Sequence, residues 1–507
     1  MGLSRNHVKH HPGLVGSLVL VALTLPRGVD GKTFMCAAED VSCVIQAINE
    51  ANANGHARNT IRLAEGTYTL MNVDNQTDGS NGLPSITSTL KIEGASNETT
   101  TITRATGAPS FRLFHVAMGG YLTLQSVTLS NGAADGGGVF NNGGTVTVRG
   151  SAFTGNRGGS TGGGLFNVRG KVIVSRSTFT HNSGPFGGGG INNDGGDVTI
   201  RDSLFDSNGA GLEGGGLRNT SDGTIRIKRS LFSRNFGASG GGVDLISGMA
   251  LVDETTFAGN GGDFIGGISV RAGATLIVTD SAFVENEVGL VSSGAGAISN
   301  SGAAAVTNTT FARNSKRRFA SGGGGIAINN RGTLILTNST FAENTGFSFD
   351  PVVASQENAT TVLLNTILSH KPEALVQDCK GRVISLGHNL IGDPTGCDIT
   401  LQLGDLIGDP GLDTFTDDGT PGNGHFPLLK DSQAVDAGNH AFCPRRDQIG
   451  QFRIGQCDIG AIEFQPKKHG HHRWNDNDDD EREGAWPRDL LDEGFDQPNG
   501  NSQTRQP

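Results

Sequence analysis

The sequence is short of charge and of aromatic side chains: Asp, Glu, Lys and Arg make up 18 % of its 507 residues, and Phe, Trp and Tyr 6 %. It has no cationic excess. Lys and Arg number 39 against 50 Asp and Glu, a net charge of −11, which argues against a general nucleic-acid binder because such surfaces are basic. After the first 31 residues, no apolar run reaches the ~20 residues of a membrane-spanning helix. Cys-x-x-Cys, a Walker loop and a dinucleotide fingerprint are all missing. What the chain has instead is glycine. Its 79 glycines are about twice the ~7 % background. They show no Gly-X-Y period, which excludes collagen. With 16 prolines they stay below the ~25 % that marks a low-complexity disordered chain.

Residues 1–11 carry Arg5 and Lys9, residues 13–25 are apolar and uncharged, and residues 29–31 offer a cleavage point. This pattern reads as a secretory signal peptide over residues 1–31, with an uncleaved interfacial anchor as the alternative. Six cysteines follow: Cys36, Cys43, Cys379, Cys397, Cys443 and Cys457. An even count after an export signal implies disulfides in an oxidising compartment. Fifteen pairings are possible, and of these the nearest-neighbour set (36–43, 379–397, 443–457) is the expectation, since each such pair closes a short loop.

From Ser151 a unit Ser/Thr-x-Phe-x-x-Asn recurs. Its phenylalanines are Phe153, Phe179, Phe205, Phe232, Phe257, Phe283, Phe311 and Phe341, spaced 25 to 30 residues apart. Asn156, Asn182, Asn208, Asn235, Asn260, Asn286, Asn314 and Asn344 each follow three residues later. Two apolar residues precede each Phe with the period of two that marks a strand, as in Val146/Val148 and Val172/Val174. Glycine runs at 136–138, 162–164, 188–190, 214–216 and 240–242 lead into Val139, Leu165, Ile191, Leu217 and Val243. Three short strands in a ~26-residue unit suit one coil of a parallel β-helix. Phe should then stack on Phe inside, and Asn on Asn at a bend, at steps of ~4.8 Å. The expected fold is an all-β solenoid of 9–10 coils over residues 71–370. An N-terminal cap is expected over 32–70, a disulfide-containing cap domain over 371–465, and a disordered, acidic, histidine-containing tail over 466–507. Val44, Ile45, Ala47, Ile48 and Ala51 lie at helical spacing within 39–54, so the first cap should hold a short amphipathic helix.

The end segments carry a family likeness. Residues 43–52 and the stretch 59–68, which ends in Gly66-Thr67-Tyr68, resemble the N-terminal cap of bacterial secreted right-handed β-helix proteins of the pectate-lyase-like fold. Ile45-Gln46 stands where that cap has Arg-Glu. The Gly-Gly-Gly and Phe-x-x-Asn units resemble polymorphic outer-membrane-protein repeats. The pieces Asn389-Leu-Ile-Gly, Asp418-Gly-Thr-Pro and Ala434-Val-Asp-Ala-Gly438 resemble the C-terminal domain called choice-of-anchor Q. The likeness implies a right-handed coil and export. It implies little about activity, because this fold hosts lyases, hydrolases, epimerases and non-enzymatic adhesins.

Chemistry must come from outward side chains. On the strand after each glycine run these are Phe140, Phe166, Asn192, Arg218, Asp244 and Ser269. Phe140 and Phe166 are candidate sugar-stacking platforms, and Arg218 and Asp244, one coil apart, are expected to pair. Four residues before each Phe the outward positions read Arg149, Ser175, Arg201, Lys228 and Asp253; with Arg176 and Arg229 beside them they form a basic stripe suited to an anionic polysaccharide. The candidate binding residues are therefore Arg149, Arg176, Arg201, Lys228, Arg229, Phe140 and Phe166. The nearest approach to a catalytic cluster is Arg218, Asp244, Arg226 and Asp253. Arg226-Ile227-Lys228, Asp417-Asp418 and Gly424-His425 match fragments of polygalacturonase motifs, but in the wrong order. The aspartates 393, 405, 409, 413, 417 and 418 lack EF-hand and RTX spacing and read as turn formers; Ca²⁺ held there is the alternative. No cofactor or metal site is otherwise expected.

These residues point to a secreted or cell-surface β-helix that binds or adheres to glycan without catalysis. A lyase or hydrolase acting on an anionic polysaccharide is the first alternative, and a purely structural stalk the second. The expected partner is a polysaccharide or cell-surface glycan, with no nucleic acid and no transmembrane segment once the signal is removed.

Overall fold

The computed structural model describes residues 31–466 except 57, 290–293, 317–323, 347–349 and 371–375. The expected signal segment up to residue 30 and the tail from residue 467 lie outside the described residues.

One coil shows why this sequence winds. In strand Lys171–Ser175, Val172 and Val174 turn inward while Lys171 and Ile173 turn outward. Arg176 takes a left-handed φ of +47° and bends the chain into strand Thr178–Thr180, whose Phe179 is fully buried. A bend at His181, with φ +55°, and the glycine run 187–190 then lead into strand Ile191–Asp194, the third face. Gly188 has φ +61°, and a Cβ at Gly189 would lie 2.5 Å from the carbonyl oxygen of Gly209. The fold therefore demands glycine at both positions.

Stacking converts the repeat into a core. Each Phe of the repeat pairs in parallel register with the next, from Phe153 to Phe341. Their rings stack with centroids 4.3 to 5.1 Å apart. The asparagines form the expected ladder: Asn182 Nδ2 donates to Asn208 Oδ1 at 3.0 Å and to the Phe153 carbonyl at 2.9 Å, and the pattern repeats along the column. A second ladder was not read from the sequence. Asn141, Asn167, Asn193 and Asn219 pass Nδ2–H to the next Oδ1 at 2.7 Å each. Its signal is an Asn two residues after Val139, Leu165, Ile191 and Leu217, replaced by Leu245 after Val243.

The result is an all-β parallel solenoid of about 13 turns, more than the 9–10 expected. The excess lies at the ends. Strands Thr33–Cys36, Asn59–Leu63 and Thr89–Glu93 already stack within the N-terminal segment, and strands Gln377–Ser385 and Cys397–Ile399 extend the column at the other end. The first open edge is closed by helix Val41–Ala53, which buries Val44, Ala47, Ile48 and Ala51, with Ile45 half-buried. Asp40 caps it, its Oδ1 accepting from the Cys43 amide at 2.9 Å. The three disulfides are Cys36–Cys43, Cys379–Cys397 and Cys443–Cys457, the nearest-neighbour set. No described helix is long and apolar enough to cross a membrane.

Residues 411–464 form a strap rather than an end cap. They fold back along the flank, where Phe426 packs on Ala282, Val284, Ala312 and Ala342, and Leu428, Ala434 and Ile459 pack on Ile367 and Leu390. The outward residues of those late coils are small or apolar, so a covering segment removes them from water. Polar ties fix it: Thr310 Oγ1 donates to Gln448 Oε1 at 2.5 Å, and the buried pair Arg453–Glu463 lies at 3.2 Å.

Candidate functional site

Parallel register aligns His115, Phe140, Phe166, Asn192, Arg218, Asp244 and Ser269 into one outward column beside the glycine turns. The alternation expected there holds, with Val139, Leu165, Ile191, Leu217 and Val243 inward and buried. The column itself is only partly open. Asn192 and Asp244 are buried and Arg218 half-buried, because the glycine turns fold against them. A Cβ at Gly187 would lie 2.4 Å from Arg218 Cδ, and one at Gly188 2.6 Å from Asn192 Cβ.

Arg218 and Asp244 do not pair with each other, which corrects the expectation. Glu213, on the glycine turn that precedes Arg218, reaches it first: Arg218 Nε and Nη2 donate to Glu213 Oε2 at 2.9 and 2.8 Å. Arg271, just past the strand of the next coil, takes Asp244 instead, with Nη2 3.0 Å from Asp244 Oδ2 and 2.5 Å from Glu213 Oε1. The four groups make one chain, Arg218–Glu213–Arg271–Asp244. Asp244 is 0 % exposed, and burial pushes its carboxyl above the usual carboxylate range, with Arg271 opposing. Burial disfavours the Arg271 charge, but Asp244 and Glu213 outweigh it and hold the guanidinium above its ordinary value. Asp244 Oδ1 and Asn192 Oδ1 are buried without a hydrogen-bond partner, on either side of Arg218. Sequence reasoning found Arg218 and Asp244 but missed Glu213 and Arg271. Neither of these sits at a position that the repeat marks.

Phe140 and Phe166 stack at 5.2 Å, but Phe140 is no open platform. The Arg112 guanidinium lies 4.5 Å over its ring, and His115 packs at 5.6 Å. Asn142 Nδ2 also donates to Asp78 Oδ2 at 2.9 Å, so a segment from an earlier coil crosses the column here.

The basic stripe forms in the expected register: Arg149, Ser175, Arg201, Lys228 and Asp253 stack on successive coils. Its two halves differ. Lys228 Nζ binds Asp253 at 2.7 Å and Glu254 at 3.0 Å, and Arg229 binds Asp202 at 2.7 Å. Those cations are neutralised by neighbouring carboxylates. Arg149, Arg176 and Arg201 are exposed and make no ion pair among the described residues. The structure does not bring the four catalytic candidates together. Arg226 and Asp253 lie on the sheet of the stripe, Arg218 and Asp244 on the sheet after the glycine runs.

The C-terminal aspartates act as turn formers. Asp409, Asp417 and Asp418 accept from the amides of Gly411, Gly419 and Thr420, and Asp393 from that of Thr395. Asp405 receives Asn389 and Gln402 amides. Among the described residues, no group of three or more His, Cys, Asp and Glu is placed to hold a metal ion.

A family model described as right handed beta helix region matches residues 214–391. No curated protein matches the chain. Among solved structures, the PL6 family alginate lyase AlyGC is similar at 14 % identity and a TM-score of 0.41, with 88 % of this chain and 60 % of the lyase covered. The chain thus spans about three-fifths of that protein's length. The pectate lyase Pel9A is similar at 14 % identity and a TM-score of 0.37, with 86 % of this chain and 97 % of the lyase covered.

Proposed function

We propose that this chain is an exported polysaccharide-active protein that binds a uronate polymer across Arg218 and Arg271 and cleaves it by β-elimination. The observation that carries the reading is the Arg218–Glu213–Arg271–Asp244 chain, which puts two partly exposed guanidiniums around one partly exposed carboxylate. In β-elimination a base removes the proton on the carbon bearing the sugar carboxylate. The electron pair forms a carbon–carbon double bond, and the glycosidic oxygen leaves with a proton from water. The developing negative charge needs a fixed cation beside the sugar carboxylate. Arg218 and Arg271, through the N–H donors that Glu213 and Asp244 leave unused, would supply it; Glu213, shared between the two guanidiniums, is the group placed to accept the proton, and Asp244 positions Arg271 from below.

Three disulfides among the described residues and the sequence resemblance to secreted β-helix proteins support export. The test is incubation with polygalacturonate and with alginate, with and without Ca²⁺, following the ultraviolet absorbance of unsaturated uronyl ends. New unsaturated ends support the reading; their absence from every polymer overturns it.

Non-catalytic glycan binding is a second reading, favoured by Arg149, Arg176 and Arg201. These are three exposed cations on successive coils of an otherwise acidic chain. Retention on acidic polymers without any new ends would select it.

A further inference from the structure

Gly209 is unlike the glycines of the runs. Its φ is not positive, and a Cβ there would meet nothing within 4 Å. The fold does not ask for glycine at this position. In successive coils the same ladder position holds Ala133, Arg157, Ser183, Gly209 and Phe236. The small residues among them leave a groove of about 540 Å³ that runs along the solenoid axis and ends against the Phe236 ring. At ~4.8 Å per coil its four steps span ~19 Å. The glycine turns separate it from the Arg218 column.

Its borders are apolar and exposed. Phe236 is 49 % exposed, and Phe186 and Leu212, which follow the lining residues Pro185 and Gly211, are 55 % and 52 % exposed. Exposed apolar side chains gathered along a concave surface mark a binding groove. The floor offers backbone polar groups and the Ser183 hydroxyl, and its one charged residue is Arg157, exposed and cationic. Asp135 lies near the rim, but its Oδ1 is engaged by the amides of Ser160 and Thr161.

We propose that this groove is a second carbohydrate site, which holds an extended stretch of acidic polysaccharide parallel to the axis. Apolar faces of the sugar rings rest on Phe236 and Pro185, and a sugar carboxylate meets Arg157. Charge complementarity selects this occupant: among the described residues Arg157 is the one charged side chain of the lining, and the Asp135 carboxylate at the rim is held by the Ser160 and Thr161 amides. A second copy docked groove to groove about a two-fold axis would bring Arg157 against Arg157. The proposal takes its polymer class from the reading above but not its cleavage.

Gly209→Leu is the decisive variant, because it fills the groove at a position with room for a side chain. Retention of the full chain on polygalacturonate and alginate is measured by affinity electrophoresis, with neutral galactan as control and the thermal melt as fold check. The expected result is retention weakened about tenfold by Gly209→Leu and by Phe236→Ala, with unchanged melts, and Arg157→Ala acting on the acidic polymers alone. Retention unaffected by Gly209→Leu overturns the proposal, as does a wild-type chain that no acidic polymer retains. Sedimentation that shows a dimer broken by Gly209→Leu assigns the groove to a second copy and also overturns it. Cleavage with retention insensitive to Gly209→Leu removes this groove alone. Retention sensitive to Gly209→Leu without cleavage removes the β-elimination reading alone.

Discussion

Arg271 Nη2 donates to Asp244 Oδ2 at 3.0 Å across 27 residues of sequence, and Asp244 is sealed from solvent while Arg271 remains partly exposed. The pair is asymmetric: water can solvate the cation alone, but not the carboxylate. Arg271→Ala is therefore expected to cost about 3 kcal/mol near neutral pH, because it strands a buried charge. The carboxyl is already pushed upward by burial, so acid relieves the loss by protonating it. Urea unfolding at neutral and at acidic pH measures both deficits, and equal values at the two pH values would refute the argument.

The solenoid face beneath the strap carries a second pH signature, at Asp280 in strand Thr275–Val284. Burial raises Asp280 from 3.8 to about 6, with Asp253, Glu254 and Asp447 adding repulsion and Asn308 opposing. The folded state then holds a proton that the unfolded chain has lost. Stability falls as pH rises from about 4 to about 6 and is level above, as far as this group is concerned. Asp280→Asn keeps an acceptor for Asn308 Nδ2 and removes the charge. The melting temperature should rise at neutral pH and stay unchanged near the acid end of that window. A variant that melts lower at neutral pH would show that the charge stabilises the interface.

Asn235 sits mid-ladder. Its Nδ2 donates to the Phe205 carbonyl at 2.8 Å and to Asn260 Oδ1 at 3.0 Å, and its Oδ1 accepts from the Asn208 amide at 3.0 Å. Asn235→Ala leaves several buried partners unsatisfied and is expected to cost about 3 kcal/mol. Denaturant midpoints with an unchanged slope would measure it. A cost under about 1 kcal/mol would mean that water replaces the amide.

Glu213→Gln tests the proposed base. The amide keeps one acceptor oxygen, enough for Arg218 or Arg271 but not for both, and accepts no proton. Turnover should drop by about 10²–10⁴-fold while retention on the polymer persists. Full turnover in the variant would remove Glu213 from the chemistry.

The three free arginines give a salt-dependent prediction. Joint replacement of Arg149, Arg176 and Arg201 by Ala should weaken retention on polygalacturonate at low salt and flatten its dependence on ionic strength. Lys228→Ala should do little, since Asp253 and Glu254 already neutralise that cation. An equal effect from Lys228→Ala would contradict this division of the stripe.

The solenoid was legible because its contacts are periodic. Phe179 lies over Phe153 and under Phe205 because the chain returns to the same place after one repeat, so spacing alone reports the contact. The same logic placed Arg149 over Ser175 and Arg218 beside Asp244. It did not say which outward side chain would bond which. Glu213 and Arg271 are 58 residues apart and off the repeated positions, yet they meet, because the glycine turn projects Glu213 across two coils. The strap was legible as a disulfide-bearing segment, but not its resting place.

By itself the sequence determined the coil, its inward column and the asparagines that stack beside each bend, since each depends on local pattern and a fixed return distance; it left fifteen pairings of the six cysteines open, and the fold selected the nearest-neighbour set. Tertiary structure alone decided which of the outward charges are neutralised, which flank the strap covers, and which glycines serve the fold. Gly189 is glycine because a carbonyl oxygen of the next coil occupies the place of its Cβ, whereas Gly209 faces open space. That difference depends on neighbours from other coils, and no pattern within one repeat contains them.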